Sequence, residues 1–123
     1  MNPSTPLLRQ IHPSFVQDGR VTSQVFRPTP KDENMLSVDN GSEISAEDSF
    51  DRFIATPNCT SVGVQAVIKQ DCDDHELPVE QNGEPYPEHC FIDYRAFTKK
   101  QIESKAKLLR AQAGERGWLY RVL

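Results

Sequence analysis

The segment from Phe97 to Gly117 carries the clearest structural signal in this chain. Thr98 and Gln101 have the spacing of a helix-capping box, and Phe97 and Ile102 have the spacing of a hydrophobic staple. Apolar residues then recur on one helical face, at Ile102, Ala106, Leu109 and Ala113, and glycines at 114 and 117 offer an end. The segment therefore predicts a long helix with one face against a core.

Most of the remaining apolar residues alternate as they do in strands. The predicted strands cover 7–12, 21–26, 36–38, 61–69, 89–94 and 118–123. A shorter helix is predicted to begin after Ser45, with Phe50, Phe53 and Ile54 on its core-facing side. This order predicts an α+β fold, a mostly antiparallel sheet with two helices packed on it and a C-terminal strand.

Length and composition favour one small domain. A chain of 123 residues suits a single core, and nine prolines with 37% hydrophobic residues predict a modest core with long connections. We expect residues 1–6 to be flexible. Residues 71–88 are acidic, contain proline and glycine, and have no periodicity, so we expect a long acidic surface loop there.

Charge and cysteine content restrict the possible partners and the cellular compartment of the protein. A net charge of −4 argues against a protein that binds nucleic acid through its phosphate backbone. The chain has no apolar run long enough for a membrane span and no signal-peptide pattern at its start. Three cysteines without framework spacing predict free thiols, and together these features predict a cytoplasmic protein.

Cys72 and His75 have a metal-ligand spacing, and His12, His89 or Cys90 are the possible additions. No second paired motif completes a tetrahedral site, and adjacent His89 and Cys90 point to opposite faces of a strand. We therefore expect a free cysteine and a solvated histidine, with no metal and no cofactor.

The candidate site residues lie in two parts of the chain. His12 and His89 are placed at strand ends and titrate near neutral pH, so they are candidates for acid-base catalysis, with Ser23 as a candidate oxygen nucleophile. Arg9, Arg27 and Lys31 are candidates for holding an anion. The hypothesis requires His12 and His89 to converge in one concave site.

The sequence carries two resemblances. Arg9, Ser23 and Glu84 or Glu88 follow the arginine, serine, glutamate order of ADP-ribosyltransferases, although Arg9 and Ser23 are closer in sequence than that fold implies. The whole-chain pattern Arg-Gln-x-His-Pro from Arg9, Gly-Arg-Val-x-Ser-Gln-x-Phe-x-Pro-Thr from Gly19, Leu-Ser-Val from Leu36 and Pro-Glu-His from Pro87 resembles a group of small uncharacterised bacterial proteins. That resemblance implies a bacterial cytoplasmic origin and no assigned activity.

The sequence is compatible with two functions. The first is an accessory or regulatory protein that binds another protein through its acidic surface and the 71–88 loop. The second is a small enzyme for a phosphate- or nucleotide-containing substrate, with His12 and His89 as acid-base groups and Arg27 and Lys31 holding the anion. A small-molecule ligand is compatible with the second. The first is preferred because no complete catalytic motif is present.

Overall fold

A computed structural model describes residues 1–122 and shows an α+β domain built on one antiparallel sheet. The six strands of the sheet are β1 Pro6–Gln10, β4 Met35–Asn40, β5 Gly63–Ile68, β6 Val79–Glu80, β7 His89–Asp93 and β8 Tyr120–Arg121. Their order is β6-β7-β4-β1-β5-β8, and a separate two-stranded ribbon joins β2 Val16–Gln17 to β3 Arg20–Val21. The helices are α1 Ala46–Ala55, α2 Lys69–Asp74 and α3 Lys99–Arg116. The predicted fold class is confirmed.

Strand β1 is central and fixes which side chains share a face. Leu7 lies opposite Asn40 of β4 and Val67 of β5, and Leu8 lies opposite Asp39 and Ala66. Since successive side chains alternate, Leu7 and Leu8 belong to different cores. The sheet is therefore packed on both faces.

Helix α3 covers the Leu7 face, as its sequence predicts. The Thr98 hydroxyl accepts from the Gln101 amide at 3.3 Å, and the Gln101 side chain accepts from the Thr98 amide at 2.9 Å. The four residues of the predicted stripe, Ile102, Ala106, Leu109 and Ala113, are all buried. They pack with Leu7, Ile11, Val25, Phe26, Ile92 and Tyr94 in the larger core.

Helix α1 lies on the opposite face and covers only part of it. The Ser45 hydroxyl caps the helix by accepting from the Asp48 amide at 3.0 Å. Phe50 is buried against Leu8, with its ring 5.0 Å from that of Tyr120. Ile54, which the predicted stripe placed in the core, is 45% exposed. The predicted stripe was therefore wrong at Ile54, which lies outside both hydrophobic cores.

The predicted strand 21–26 is wrong beyond Val21, because residues Ser23–Phe26 form a 3-10 helix. Val25 and Phe26, which would alternate in a strand, are both fully buried. The Arg9 guanidinium donates to the Val25 carbonyl at 2.8 Å, and the Tyr94 hydroxyl donates to the Phe26 carbonyl at 2.6 Å. Side chains thus occupy the carbonyls that a strand partner would need.

The expected long loop at 71–88 is shorter than predicted. Its first residues belong to α2, and β6 pairs with β7 in the register Val79 to Ile92. Cys72 and Leu77 are buried in the larger core, and Asp71 forms an ion pair with Arg116 at 2.6 Å. The partners of this segment come from β7, the larger core and Arg116 of α3, which are distant in sequence, so local composition did not reveal them.

The first and last of the described segments are hydrogen-bonded to the start of α2 and to the β5 region, respectively. The carbonyls of Pro3 and Thr5 accept from the amides of Gln70 and Lys69 at 2.8 and 3.0 Å, while flexibility of residues 1–6 stays a prediction. The C-terminal strand is present but limited to Tyr120–Arg121, and position 123 of the predicted strand lies outside the described residues. Among the described helices, none has the length and apolar character that crossing a membrane requires.

Candidate functional site

A cavity of about 630 Å³ opens beside α1, over the part of the sheet that this helix leaves uncovered. Its floor is formed by alternate residues of β1 and β4, including Leu8, Ser37 and Asp39. One wall comes from α1, which presents Ser49, Arg52, Phe53 and Thr56, and the rim comes from segments 12–15 and 85–86. Most of the lining is apolar, with a few polar groups, as in sites that bind small molecules.

The polar groups of the cavity form one connected row. The Gln10 amide donates to the Ser49 hydroxyl at 3.0 Å, and that hydroxyl donates to the Asp39 carboxylate at 2.7 Å. Arg52 donates to the same carboxylate oxygen at 3.1 Å. Because each group is held by a neighbour, the row is fixed before any ligand binds.

Arg52 also holds the rim in place. Its guanidinium forms a second ion pair with Glu88 and lies 3.8 Å from the centre of the Tyr86 ring. Its hydrogen bond, and to a smaller extent its positive charge, lower the pKa of Glu88 below its usual value. Arg52 therefore connects the helix, the sheet and the segment before β7 through one planar group.

His89 lies at the start of β7 and borders the cavity. Its Nδ1 is 2.6 Å from the Asn82 side-chain oxygen, so Nδ1 carries the proton and Nε2 has a free lone pair. Partial burial lowers the pKa of His89, an effect that Asp39 opposes and Arg52 reinforces. His89 is therefore neutral near pH 7 and can accept a proton or hydrogen bond.

His12 borders the same cavity in a different role. It is the N-cap of the 3-10 helix Pro13–Phe15, and its Nδ1 accepts from the Ser14 amide at 3.0 Å. Its ring centre is 5.9 Å from that of Phe15. One nitrogen of His12 is thus committed to the local turn, and Nε2 is left for solvent or a ligand.

The other predicted site residues do not gather there as a group. Arg9 borders the cavity, but its guanidinium donates to the carbonyls of Val25 and Ser37, the latter at 3.0 Å. Burial lowers the pKa of Arg9 to about 10. Ser23, Arg27 and Lys31 are not part of the cavity lining. The structure brings together His12, His89 and Arg9, and leaves the proposed nucleophile and two of the three anion-binding residues elsewhere.

Three residues of the site were missed by the sequence analysis, namely Asp39, Ser49 and Arg52. The sequence does contain a pattern that points to these residues. Ser49, Arg52, Phe53 and Thr56 have the spacing of one helical face, offset from the Phe50 face, and Ser37 and Asp39 alternate with buried Leu36 and Val38. The cavity is formed where this second, partly polar face of the helix lies opposite a polar face of the strand.

The cysteines and the possible metal ligands lie in different environments. Cys59 borders the cavity and is half-buried, whereas Cys72 and Cys90 are fully buried. Burial raises the pKa of Cys72 to about 12 and that of Cys90 to about 11. Within residues 1–122, no three His, Cys, Asp or Glu side chains are grouped as metal ligands.

Comparison of the chain with protein-family models, curated proteins and solved structures found no match. The chemistry of the cavity is therefore what bears on the function.

Proposed function

We propose that this protein binds a small organic molecule in the cavity beside α1. The observation that supports this most strongly is the cavity itself, in which an apolar wall faces a fixed polar row. A volume of about 630 Å³ lies within the range of small-molecule sites, roughly 300–1,000 Å³. A ligand there displaces water from apolar surface and meets hydrogen-bonding groups that need no reordering.

The charges around the cavity favour a neutral ligand. The two cations that border it, Arg9 and Arg52, are both paired already, Arg9 with carbonyl oxygens and Arg52 with the carboxylates of Asp39 and Glu88. A phosphate group entering the cavity meets no free cation among the residues lining it. A ligand with a hydrogen-bond donor can instead bind the lone pair on His89 Nε2.

Filling the cavity tests this proposal. Ser37 is an exposed residue on the cavity floor, so Ser37→Trp places an indole in the cavity without removing a core side chain. Compounds from a fragment collection that raise the melting temperature of the wild-type protein should have no effect on this variant. Glu80→Trp is the matched control, because Glu80 is an exposed strand residue outside the lining. Compounds that stabilise both variants equally would contradict the proposal.

Acid-base catalysis at the same site is the second candidate function, and the observation that favours it is the free Nε2 of His89. A neutral imidazole with a lowered pKa can remove a proton from a bound substrate near pH 7. His12 borders the same cavity, and its Nε2 can donate a hydrogen bond to a bound substrate.

The catalytic proposal is tested with a ligand found by the stabilisation assay. Mass spectrometry follows its conversion by the wild-type protein and by His89→Gln. Binding without conversion in the variant supports catalysis. Conversion at the wild-type rate in the variant contradicts it.

Binding of another protein stays a prediction. It is supported by exposed carboxylates at Asp74, Glu76, Glu80 and Glu84, which are in or near the 71–88 segment and suit a basic partner. Chemical crosslinking in cells, with neutral substitutions of these four residues as the comparison, tests it. A partner captured equally well by the neutral variant would exclude this surface.

A further inference from the structure

A second cavity, of about 490 Å³, lies on the opposite face of the sheet, between β5, α3 and the turn of the β2–β3 ribbon. Its lining includes Gln65, Arg20, Arg110, Glu115 and Trp118. None of these residues borders the cavity beside α1. The two sites are therefore separate, one on each face of the sheet.

Gln65 is the unusual residue of this second cavity. It lies in the middle of β5, is 4% exposed, and stands on the face that carries Val67 and the larger core. Its side-chain amide has no hydrogen-bond partner among residues 1–122, yet it borders the cavity. The residue is buried but its amide atoms reach the open cavity, where water or a ligand can supply the hydrogen-bond partner that such a group normally has.

Arg110 adds an oriented cation. Its Nε donates to the Val21 carbonyl at 2.9 Å, which fixes the plane of the guanidinium. Its terminal Nη groups have no partner in the part of the chain that the structure describes. A guanidinium held by one nitrogen offers its remaining donors to a carboxylate in a fixed geometry.

The surroundings limit the charge of a suitable ligand. Arg20 is an exposed cation on the rim, and Arg121 lies 4.8 Å from the Trp118 ring centre. Glu115 places a carboxylate on the same rim. Two cations, Arg20 and Arg110, and one anion, Glu115, line the cavity and together favour a single negative charge on the ligand, while Glu115 repels a multiply charged group.

Trp118 supplies the apolar side of the site. Its ring packs over Gly63, where a Cβ atom would lie 2.8 Å from the indole and 2.4 Å from the Tyr120 carbonyl oxygen. The ring is therefore held in one place by a close approach that only glycine permits. A fixed aromatic ring beside a guanidinium suits a ligand with a flat apolar part and an acidic group.

We propose that this second cavity is a binding site for a small monocarboxylate with a planar apolar part. The carboxylate pairs with the Nη groups of Arg110 and accepts from the Gln65 amide, and the planar part packs against Trp118. This site does not depend on the function proposed for the cavity beside α1.

The chain contains one tryptophan, so its fluorescence reports directly on this cavity. Titration of the intact protein with benzoate should change the fluorescence of Trp118 and reach saturation. Benzyl alcohol lacks the carboxylate and inorganic phosphate lacks the planar part, so both should cause a much weaker change. Equal binding of phosphate would overturn the carboxylate assignment, and no saturable change with benzoate would overturn the site.

Three variants locate the binding. Arg110→Gln should weaken benzoate binding roughly tenfold, the scale of one charge-assisted hydrogen bond. Lys107→Gln removes one positive charge from an exposed position on the same helix and should bind as the wild type does. Gln65→Leu removes no protein hydrogen bond, so it should fold normally and still bind more weakly. Unchanged binding by Arg110→Gln or by Gln65→Leu would contradict the proposed contacts.

Discussion

Arg52 of α1 and Asp39 of β4 are joined by an ion pair at 3.1 Å, which ties the helix to the sheet beside the cavity. The two side chains are only 22% and 17% exposed, so water screens them less than it screens a pair at the surface. The same guanidinium holds Glu88, whose side chain is 15% exposed. The walls of the cavity therefore depend on one side chain.

Arg52→Met should lower the free energy of unfolding by about 1–3 kcal/mol, between the values for exposed and buried ion pairs. The loss arises because Asp39 and Glu88 lose their common cation while partly buried. Urea denaturation measures it. Arg95→Met is the control, because Arg95 pairs with Asp93 while 54% exposed. Equal effects of the two substitutions would show that Arg52 is an ordinary surface residue.

His89 should make stability depend on pH just below its ordinary pKa of 6.5. Burial favours neutral His89 in the folded state, so the unfolded chain binds a proton more readily in that range. The free energy of unfolding should therefore decrease as pH falls from 6.5 through the lowered pKa of the folded state. Denaturation at several pH values compares wild type with His89→Gln, in which this part of the dependence should disappear. An unchanged profile would exclude His89 as its source.

Tyr94→Phe should lower the free energy of unfolding by about 1–3 kcal/mol, the usual cost of leaving a buried polar group without a partner. The Tyr94 hydroxyl is buried and donates to the Phe26 carbonyl at 2.6 Å, where it helps to hold the 3-10 helix Ser23–Phe26. Burial also raises the pKa of Tyr94. Tyr86→Phe is the control, since Tyr86 is 38% exposed and keeps its ring over Arg52. Thermal denaturation should show a larger decrease in melting temperature for Tyr94→Phe than for Tyr86→Phe.

Thiol labelling of the native protein should modify Cys59 first. Cys72 and Cys90 are buried with raised pKa values, and the reactive thiolate is scarce at both. One thiol should react quickly in the native state and three in denaturant. Cys59 also borders the cavity beside α1, so a ligand in that cavity should slow its labelling. Rapid labelling of Cys72 would contradict the packing described for α2.

The sequence predicts the parts of the fold that local patterns determine. The Thr98 cap and the stripe from Ile102 to Ala113 require only residues within the helix, and both are present as predicted. The segment 21–26 has strand-like alternation but is a 3-10 helix, because Arg9 and Tyr94 take its carbonyls. Partners 16 and 68 residues away decide that outcome, and no local pattern contains them.

The candidate site also has some features that local patterns predict and others that depend on distant residues. His12 and His89 were identified by residue type, and the antiparallel pairing of β4 with both β1 and β7 is what brings their strands to one cavity. Arg52 is bound to Asp39 and Glu88, which are 13 and 36 residues away, so its role depends on tertiary structure. The helical face formed by Ser49, Arg52, Phe53 and Thr56 was visible in the sequence once a second face of α1 is considered.

The two edge strands of the sheet, β6 and β8, are only two residues long. A neighbouring chain that extends a sheet needs a row of free backbone groups to pair with. Each of these two-residue edge strands offers only a few free donors and acceptors. Pairing of a neighbouring chain with β6 or β8 would therefore involve only a short stretch of backbone. We expect these short edge strands to limit self-association through strand pairing, independently of what the two cavities bind.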